Sequence, residues 1–292
     1  MTVGFSASKQ ESTAQAVIAQ AGAALGERRS DIPPTFIAQL YGYAVPEDVA
    51  RYAAADLADL AERAYDFMRE RQPGAPKIRC ETVRLRGSGE AKPVSVVEIV
   101  NDDMPFLLDS VMGEIAERKL AVRLVAHPLF SVRRKGQTLT DLEPVGAAEG
   151  PRESFIHIHL DAVEDAAACA ELVRALHKVL TDVRMAVADW RPMLDRVNSI
   201  VNELKTNPPP LPVDEIAEAI QFMQWLLVDH FTFLGVRDYR FNGHELEPNF
   251  DTALGIMRDR DLRVLKRGQE LLEITPEIMA FLNEPRPLII AK

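Results

Sequence analysis

Apolar residues recur along this chain at two different periods, and the change from one to the other divides it. Through the first 75 residues the period is helical. In PEDVARYAAADLADLAERAYDFMRER the apolar positions Val49, Tyr52, Ala53, Leu57, Leu60, Ala64, Phe67 and Met68 recur close to every 3.6 residues. Pro46, Glu47 and Asp48 suit the start of one long helix, since proline needs no N–H partner there and acids favour the positive end of the helix dipole. Arg69 and Arg71 suit its other end, and Pro73-Gly74 stops it.

Strand-like runs follow. KIRCETVRLR and PVSVVEIV are rich in Val, Ile and Thr and are separated by GSGEAK. The second run breaks at Asn101-Asp102-Asp103, and the chain restarts at Pro105 as a helix with Leu108, Val111, Met112 and Ile115 on one face. One of the three polar residues is expected to cap that helix. AVRLVAHPLFSVRR returns as a strand broken near His127-Pro128, because proline cannot donate to a central ladder. A loop containing Gly136, Gly146 and Gly150 comes next. In ESFIHIHLDA the alternation turns Ile156, Ile158 and Leu160 toward helices and His157 and His159 away. EDAAACAELVRALHKVL is a second helix, with Cys169, Leu172, Val173, Leu176 and Leu180 on one face. RMAVADW reads as a short closing strand, unless the preceding helix absorbs it.

The predicted class is α+β. Residues 1–75 form an N-terminal helical segment, and residues 76–205 a ferredoxin-like βαββαβ domain, one antiparallel sheet with both helices on one face. TNPPPLP is a linker, stiffened by three consecutive prolines. Residues 206–292 begin with a helix carrying Ile216, Ile220, Met223 and Leu227. A hairpin follows, from FTFLGVRDYRF through Asn242-Gly243 to HELEP, and leads into a second, truncated α/β domain. PRPLIIAK ends inside an apolar run, as a piece of something longer would.

Charge and composition narrow the function classes. The 34 basic and 44 acidic residues give a net charge of −10. Such a chain repels nucleic acid and anionic membrane, so neither is an expected partner. Two cysteines, Cys80 and Cys169, make no disulfide framework or zinc-ligand spacing, which fits a reducing cytoplasm. The N-terminus lacks the pattern of a secretory signal, and no run approaches the ~20 apolar residues that span a bilayer.

Candidate chemistry is sparse. GSGEAK follows a strand but is followed by Pro93 and another strand, so it offers no helix N-terminus to a dinucleotide pyrophosphate. His157, His159 and Asp161 share a strand face and have the donor types of a metal site, yet amphipathic burial explains their alternation more simply. The pair Asp102-Asp103 is read as capping rather than catalytic. His127 and His230 read as packed or surface residues, Trp190 and Trp225 as apolar anchors, and both cysteines as small buried hydrophobes.

Several blocks together resemble a known family. NDDMPFLLDSVMGEIAERKL, HPLF, ESFIHIHLD, DWRPML, EAIQFMQWLLVDHFTFLGVRDY and LGIMRD are similar, in this order, to the N-terminal region of the large bacterial NAD-specific glutamate dehydrogenases. The resemblance runs from about residue 12 to the end. It implies ACT-like domains, with a Rossmann-type catalytic domain far downstream, and a parent reaction that deaminates L-glutamate oxidatively to 2-oxoglutarate with NAD. It implies that this chain itself binds no cofactor, acts as a non-catalytic regulatory or assembly region, and has as partners the rest of that polypeptide and further copies in a homo-oligomer. Amino-acid-binding ACT domains carry D-x-P-G-L-L after their first strand. Asp103-Met104-Pro105-Phe106-Leu107-Leu108 matches except at the glycine, where Phe106 stands. The resemblance thus makes Asn101, Asp103, Pro105 and Phe106 candidate ligand residues, and Phe106 is expected to fill the site. An amino-acid-sensing module is the alternative. A stand-alone enzyme using Asp102/Asp103 or His157/His159 is the third reading.

Overall fold

The structure, a computed structural model, describes residues 3–87, 93–146, 150–163, 165–242, 245–262, 272–273, 276 and 280. Contacts divide the chain into two compact units, Met1–Leu180 and Thr181–Lys292.

The first unit begins with four helices, α1 (Val3–Arg28), α2 (Phe36–Tyr41), α3 (Pro46–Val49) and α4 (Ala54–Met68). The single helix predicted from Pro46 is therefore two. Ala53 is extended (φ −75°, ψ 146°), and the break turns Tyr52 toward the sheet, where its hydroxyl stands 2.8 Å from His159 Nδ1. Tertiary bonding of one side chain overrides a continuous helical period. Gly87 is needed beside the break, because a Cβ there would come within 2.1 Å of the Ala53 Cβ. The neighbouring backbone is held by Asp56, which accepts from the Arg86 N–H (2.8 Å) and the Gly87 N–H (2.9 Å).

The sheet comprises β1 (Lys77–Arg84), β2 (Pro93–Asp102), β3 (Val122–Ala126), β4 (Leu129–Lys135), β5 (Thr138–Pro144) and β6 (Arg152–Asp161). Its order is β1-β2-β6-β4-β5, with β3 also pairing β6, and every pairing is antiparallel. β3 and β4 are the two halves of the strand predicted to break at His127-Pro128. The Pro128 carbonyl remains in use, accepting from Phe155 N–H at 3.0 Å. β5 lies where a loop was expected and forms a hairpin with β4 across Gly136 (φ 66°).

Helices α5 (Leu107–Glu117) and α6 (Ala166–Ala188) follow β2 and β6. RMAVADW does not form a strand: α6 runs through Ala188. The edge position beside β2 is taken instead by β1, from earlier in the chain.

The two sheet faces follow from register. Cys80 pairs with Val97, and Val97 with Ile158. Cys80 Sγ touches Cys169 Sγ of α6 at 2.6 Å, so α6 lies on this face, and Arg118, just after α5, reaches Glu171 of α6 at 3.2 Å. Ile156, Ile158 and Leu160 thus face the α5–α6 side and are buried, as the alternation predicts. The opposite face carries Val94, Val96, Val100, Phe130 and Phe155, which form one apolar cluster with Phe36, Leu40, Leu57 and Met68 of the N-terminal helices. Burial of one such side chain contributes about 1.5–3 kcal/mol.

The second unit continues with α7 (Trp190–Thr206), α8 (Val213–Trp225), a π-helical turn at Leu226–His230, and β7 (Gly235–Phe241), β8 (Glu245–Gly255) and β9 (Leu272–Glu273). Residues 207–212 of TNPPPLP are non-helical. β7 and β8 form the predicted hairpin, although β8 extends past HELEP to Gly255. The Asn-Gly turn at Gly243, most of GSGEAK and the whole of PRPLIIAK lie outside the described residues. Trp190 and Trp225 are 47% and 48% exposed, so neither is the apolar anchor predicted; Met193, Val197 and Val201 of α7 are buried instead.

Candidate functional site

Two places collect polar side chains in the first unit: the turn between β2 and α5, and the sheet face under the N-terminal helices.

At the turn, β2 runs further than its polar ending implies. Asn101 pairs with Ser154 and Asp102 with Glu153, and the Asp103 N–H donates to the Arg152 carbonyl at 3.0 Å. The residue preceding α5 is Phe106, in the left-handed region (φ 69°, ψ 5°), and its side chain makes no cap hydrogen bond. The residue at the cap position of α5 is thus Phe106 rather than Asn101, Asp102 or Asp103. The ladder takes up the backbone of the first two, and the Arg71 guanidinium takes Asp102 Oδ1 at 2.7 Å.

Phe106 also departs from expectation. It is 49% exposed, so it does not pack down to close the turn. Its φ is one that glycine adopts freely and a side chain does not. The backbone of the turn has the conformation that glycine would favour, with a phenylalanine on it. Asp103 and Pro105 are exposed, and Asn101 is buried. His127 hydrogen bonds Ser154 Oγ through Nε2 at 2.7 Å. Burial pushes the His127 pKa down, while Asp103 and Asp109 pull it the other way, so the turn carries negative potential toward that ring.

Under the N-terminal helices the polar groups pair largely with one another. His157 and His159 are 0% exposed, because the face predicted to be polar is roofed by helices. Their Nε2 atoms are 2.7 Å apart. His159 Nδ1 meets Tyr52 Oη at 2.8 Å, and Tyr41 Oη lies 3.4 Å from His157 Nε2. His157 Nδ1 stands 3.3 Å from Glu98 Oε1, off the line of a good hydrogen bond. Arg79 donates to Glu98 from the next strand. Burial drives the His159 pKa well below its usual value, and His157 and Arg123 add to this. Burial alone would raise the Glu98 pKa, but His157 and Arg79 outweigh it and the net shift is downward. Burial pushes Tyr52 up to about 12.

Asp161 does not join the histidines: it sits at the exposed end of β6, paired with Arg123. Among the described residues no group of three or more His, Cys, Asp or Glu has the arrangement of a metal site. A second buried network surrounds Glu153, which accepts from Arg71 Nη1 (2.7 Å) and from Arg134 Nε and Nη2 (2.7 and 2.8 Å). Arg71, expected at a helix end, is 2% exposed and ties the segment after α4 to the sheet. Sequence reasoning missed Tyr41, Tyr52, Arg71, Arg79 and Glu98. Only Glu98 carried a signal, as the lone charge in an apolar strand.

An apolar groove of about 640 Å³ runs along α1, lined by Ala14, Ile18, Gly22, Ile37, Ala38 and Tyr41 among others. Glu11 and Gln15 also line it. Around GSGEAK, β1 and β2 are antiparallel neighbours and a strand begins at Pro93, which differs from the strand–loop–helix unit that holds a dinucleotide. In the second unit, Asp189 accepts from Gly255 N–H (2.7 Å) and Arg258 (2.5 and 2.9 Å), and His230 stacks on Trp225 (centroids 4.6 Å apart). Among the described residues no helix is long and apolar enough to cross a membrane.

Comparison with known proteins agrees with this architecture. Residues 36–176 match the family model described as glutamate dehydrogenase, ACT1 domain. The NAD-specific glutamate dehydrogenase of Halomonas elongata is 33% identical over 257 residues, covering 79% of this chain and 16% of that protein. Its Pseudomonas aeruginosa counterpart is 27% identical over 278 residues, 92% of this chain and 17% of that protein. The Mycobacterium tuberculosis protein is 24% identical over 169 residues, 56% of this chain and 10% of its own length. This chain therefore spans about one sixth of the length of the first two relatives. Residues 36–176 thus carry the match to a glutamate dehydrogenase ACT1 domain, and most of the chain is similar to a portion of the NAD-specific glutamate dehydrogenases.

Proposed function

We propose that this chain is a non-catalytic regulatory or assembly region of an NAD-dependent glutamate dehydrogenase. The parent reaction is then the oxidative deamination of L-glutamate, and the partners are the remainder of that polypeptide and further copies in a cytoplasmic homo-oligomer. One observation carries the reading. The buried polar groups of the first unit, His157, His159, Glu98, Arg71 and Glu153, are engaged with one another rather than aimed into an open pocket. A catalytic site needs convergent groups around a cavity, and buried groups paired with one another rigidify a fold instead. The β2-α5-β3/β4-β6-α6 order, with β6 between β2 and the β3–β4 pair, supports a ferredoxin-like core of the ACT type.

The test is direct. The purified chain, given glutamate and NAD, is expected to produce no NADH above a blank and to give no saturable heat with NAD. Turnover or stoichiometric NAD binding would refute the non-catalytic reading. The sensor reading keeps one specific observation in its favour, the left-handed backbone at Phe106 beside exposed Asp103. A ligand that binds only the folded form raises its stability by RT ln(1 + [L]/Kd). A saturable rise in melting temperature with an amino acid, lost in Asp103→Ala, would favour that sensor over the packing module.

A further inference from the structure

The chain has two cysteines, 89 positions apart, and the fold brings them together. Cys80 lies midway along the edge strand β1, and Cys169 near the start of α6. Their sulfurs are in contact at 2.6 Å, and both are free thiols.

We propose that Cys80 and Cys169 form a redox modification site, at which a peroxide oxidises the pair to a disulfide that staples β1 to α6. Access sets the order of events. Cys80 is partly exposed, whereas Cys169 is only 9% exposed. Cys80 sulfur attacks the peroxide O–O bond, which yields its sulfenic acid and one water. Cys169 sulfur then attacks Cys80 sulfur, the S–O bond breaks, and the hydroxide leaves as a second water with the Cys169 proton. In balance, two thiols and one hydrogen peroxide give one disulfide and two waters.

Two features of the site define its behaviour. Burial, reinforced by hydrogen bonding to Cys169, raises the Cys80 pKa, so little thiolate is present and the first step is slow. The second step is intramolecular between sulfurs already in contact, so it outpaces over-oxidation. The pair is therefore suited to respond to sustained oxidant rather than to scavenge it. The staple would close a long loop and fix an edge strand, the part of a sheet most ready to fray or to pair elsewhere.

The experiment uses the whole 292-residue chain. Reduced protein is treated with hydrogen peroxide under native conditions, quenched and unfolded. It is then assayed for free thiols and intact mass, with peptide mapping of the cross-link. The expected result is complete loss of both thiols, a mass lower by two hydrogen atoms, a Cys80–Cys169 peptide, and a higher melting temperature that dithiothreitol reverses. In Cys169→Ser, Cys80 should stop at a sulfenic acid that dimedone traps, and in Cys80→Ser, Cys169 should stay unreacted. Two thiols still free after prolonged oxidation, sulfinic acid without a cross-link, or a disulfide between two chains would each overturn the proposal.

Discussion

At the scale of single residues, Phe106 is the position where sequence and backbone disagree. A left-handed φ costs an ordinary residue roughly 1–2 kcal/mol. Half of this ring is exposed, so its burial offsets little of that cost. Phe106→Gly should relieve the strain, while glycine's greater freedom in the unfolded chain takes back about 0.5–1 kcal/mol. The net expectation is a small gain, on the order of 0.5–1 kcal/mol, seen as a higher urea midpoint. A lower midpoint would show that Phe106 is held by packing after all. The motif Asp103-Met104-Pro105-Phe106 made the turn legible, because its resemblance marks the glycine site. The side-chain direction at Phe106 was not legible: a large apolar residue suggests burial, and only the backbone angle turns it outward.

At the scale of elements, β6 shows what alternation can and cannot say. The period of two assigned Ile156, Ile158 and Leu160 to one face and His157 and His159 to the other, as the register confirms. What alternation cannot give is whether the polar face meets water. Here α2 brings Tyr41 and the α3–α4 break brings Tyr52, so two imidazoles lie in a buried layer beside Glu98. The same cause hid the α3–α4 break, since a periodic helix pattern gives no warning that one tyrosine must leave it. The consequence is a pH dependence with a definite sign. His159 has its folded pKa depressed, so the folded state binds fewer protons than the unfolded state below the ordinary histidine pKa of about 6.5. Its contribution is fully present above that value and is lost as pH falls toward the folded pKa. Glu98, also depressed, acts in the same direction at lower pH. His157, Tyr41, Tyr52, Arg79 and Arg123 surround the pair; Arg123 adds to the cost of a protonated His159, and Arg79 favours ionised Glu98. The urea midpoint should therefore fall steadily between about pH 6.5 and pH 5. His159→Gln should flatten that slope while lowering stability at neutral pH by about 1–3 kcal/mol, through the disturbed bond to Tyr52. An unchanged slope in the variant would assign the titration elsewhere.

At the scale of the whole molecule, the two units differ in how much apolar surface they bury. The first has a sheet covered on both faces, with fully buried Phe36, Leu57, Met68, Ile99, Phe130, Phe155 and Ile156. In the second, the described buried apolar residues are few: Val183, Met193, Val197, Val201 and Ala253. α8 buries none, and Trp225, Val228, Phe231 and Leu234 are exposed. Its apolar pattern, with Ile216, Ile220, Met223 and Leu227, was readable in the sequence, but period reports a face and not the presence of anything to cover it. Polar ties link the β7–β8 hairpin to α7, a hydrogen bond from Gly255 N–H to Asp189 and ion pairs of Asp189 with Arg258 and Arg196 with Asp238 (2.9 Å). Such ties contribute less than a packed core, and a thinly packed unit opens first. Calorimetry of the chain should resolve two transitions, the upper one belonging to the first unit. Asp189→Ala should move only the lower transition downward, by the equivalent of about 1–3 kcal/mol, because it leaves the buried Gly255 N–H without its acceptor. A fragment ending at Ala188 should keep the upper transition within a few degrees. One cooperative transition in the whole chain, moved as a block by Asp189→Ala, would show instead that the units unfold together.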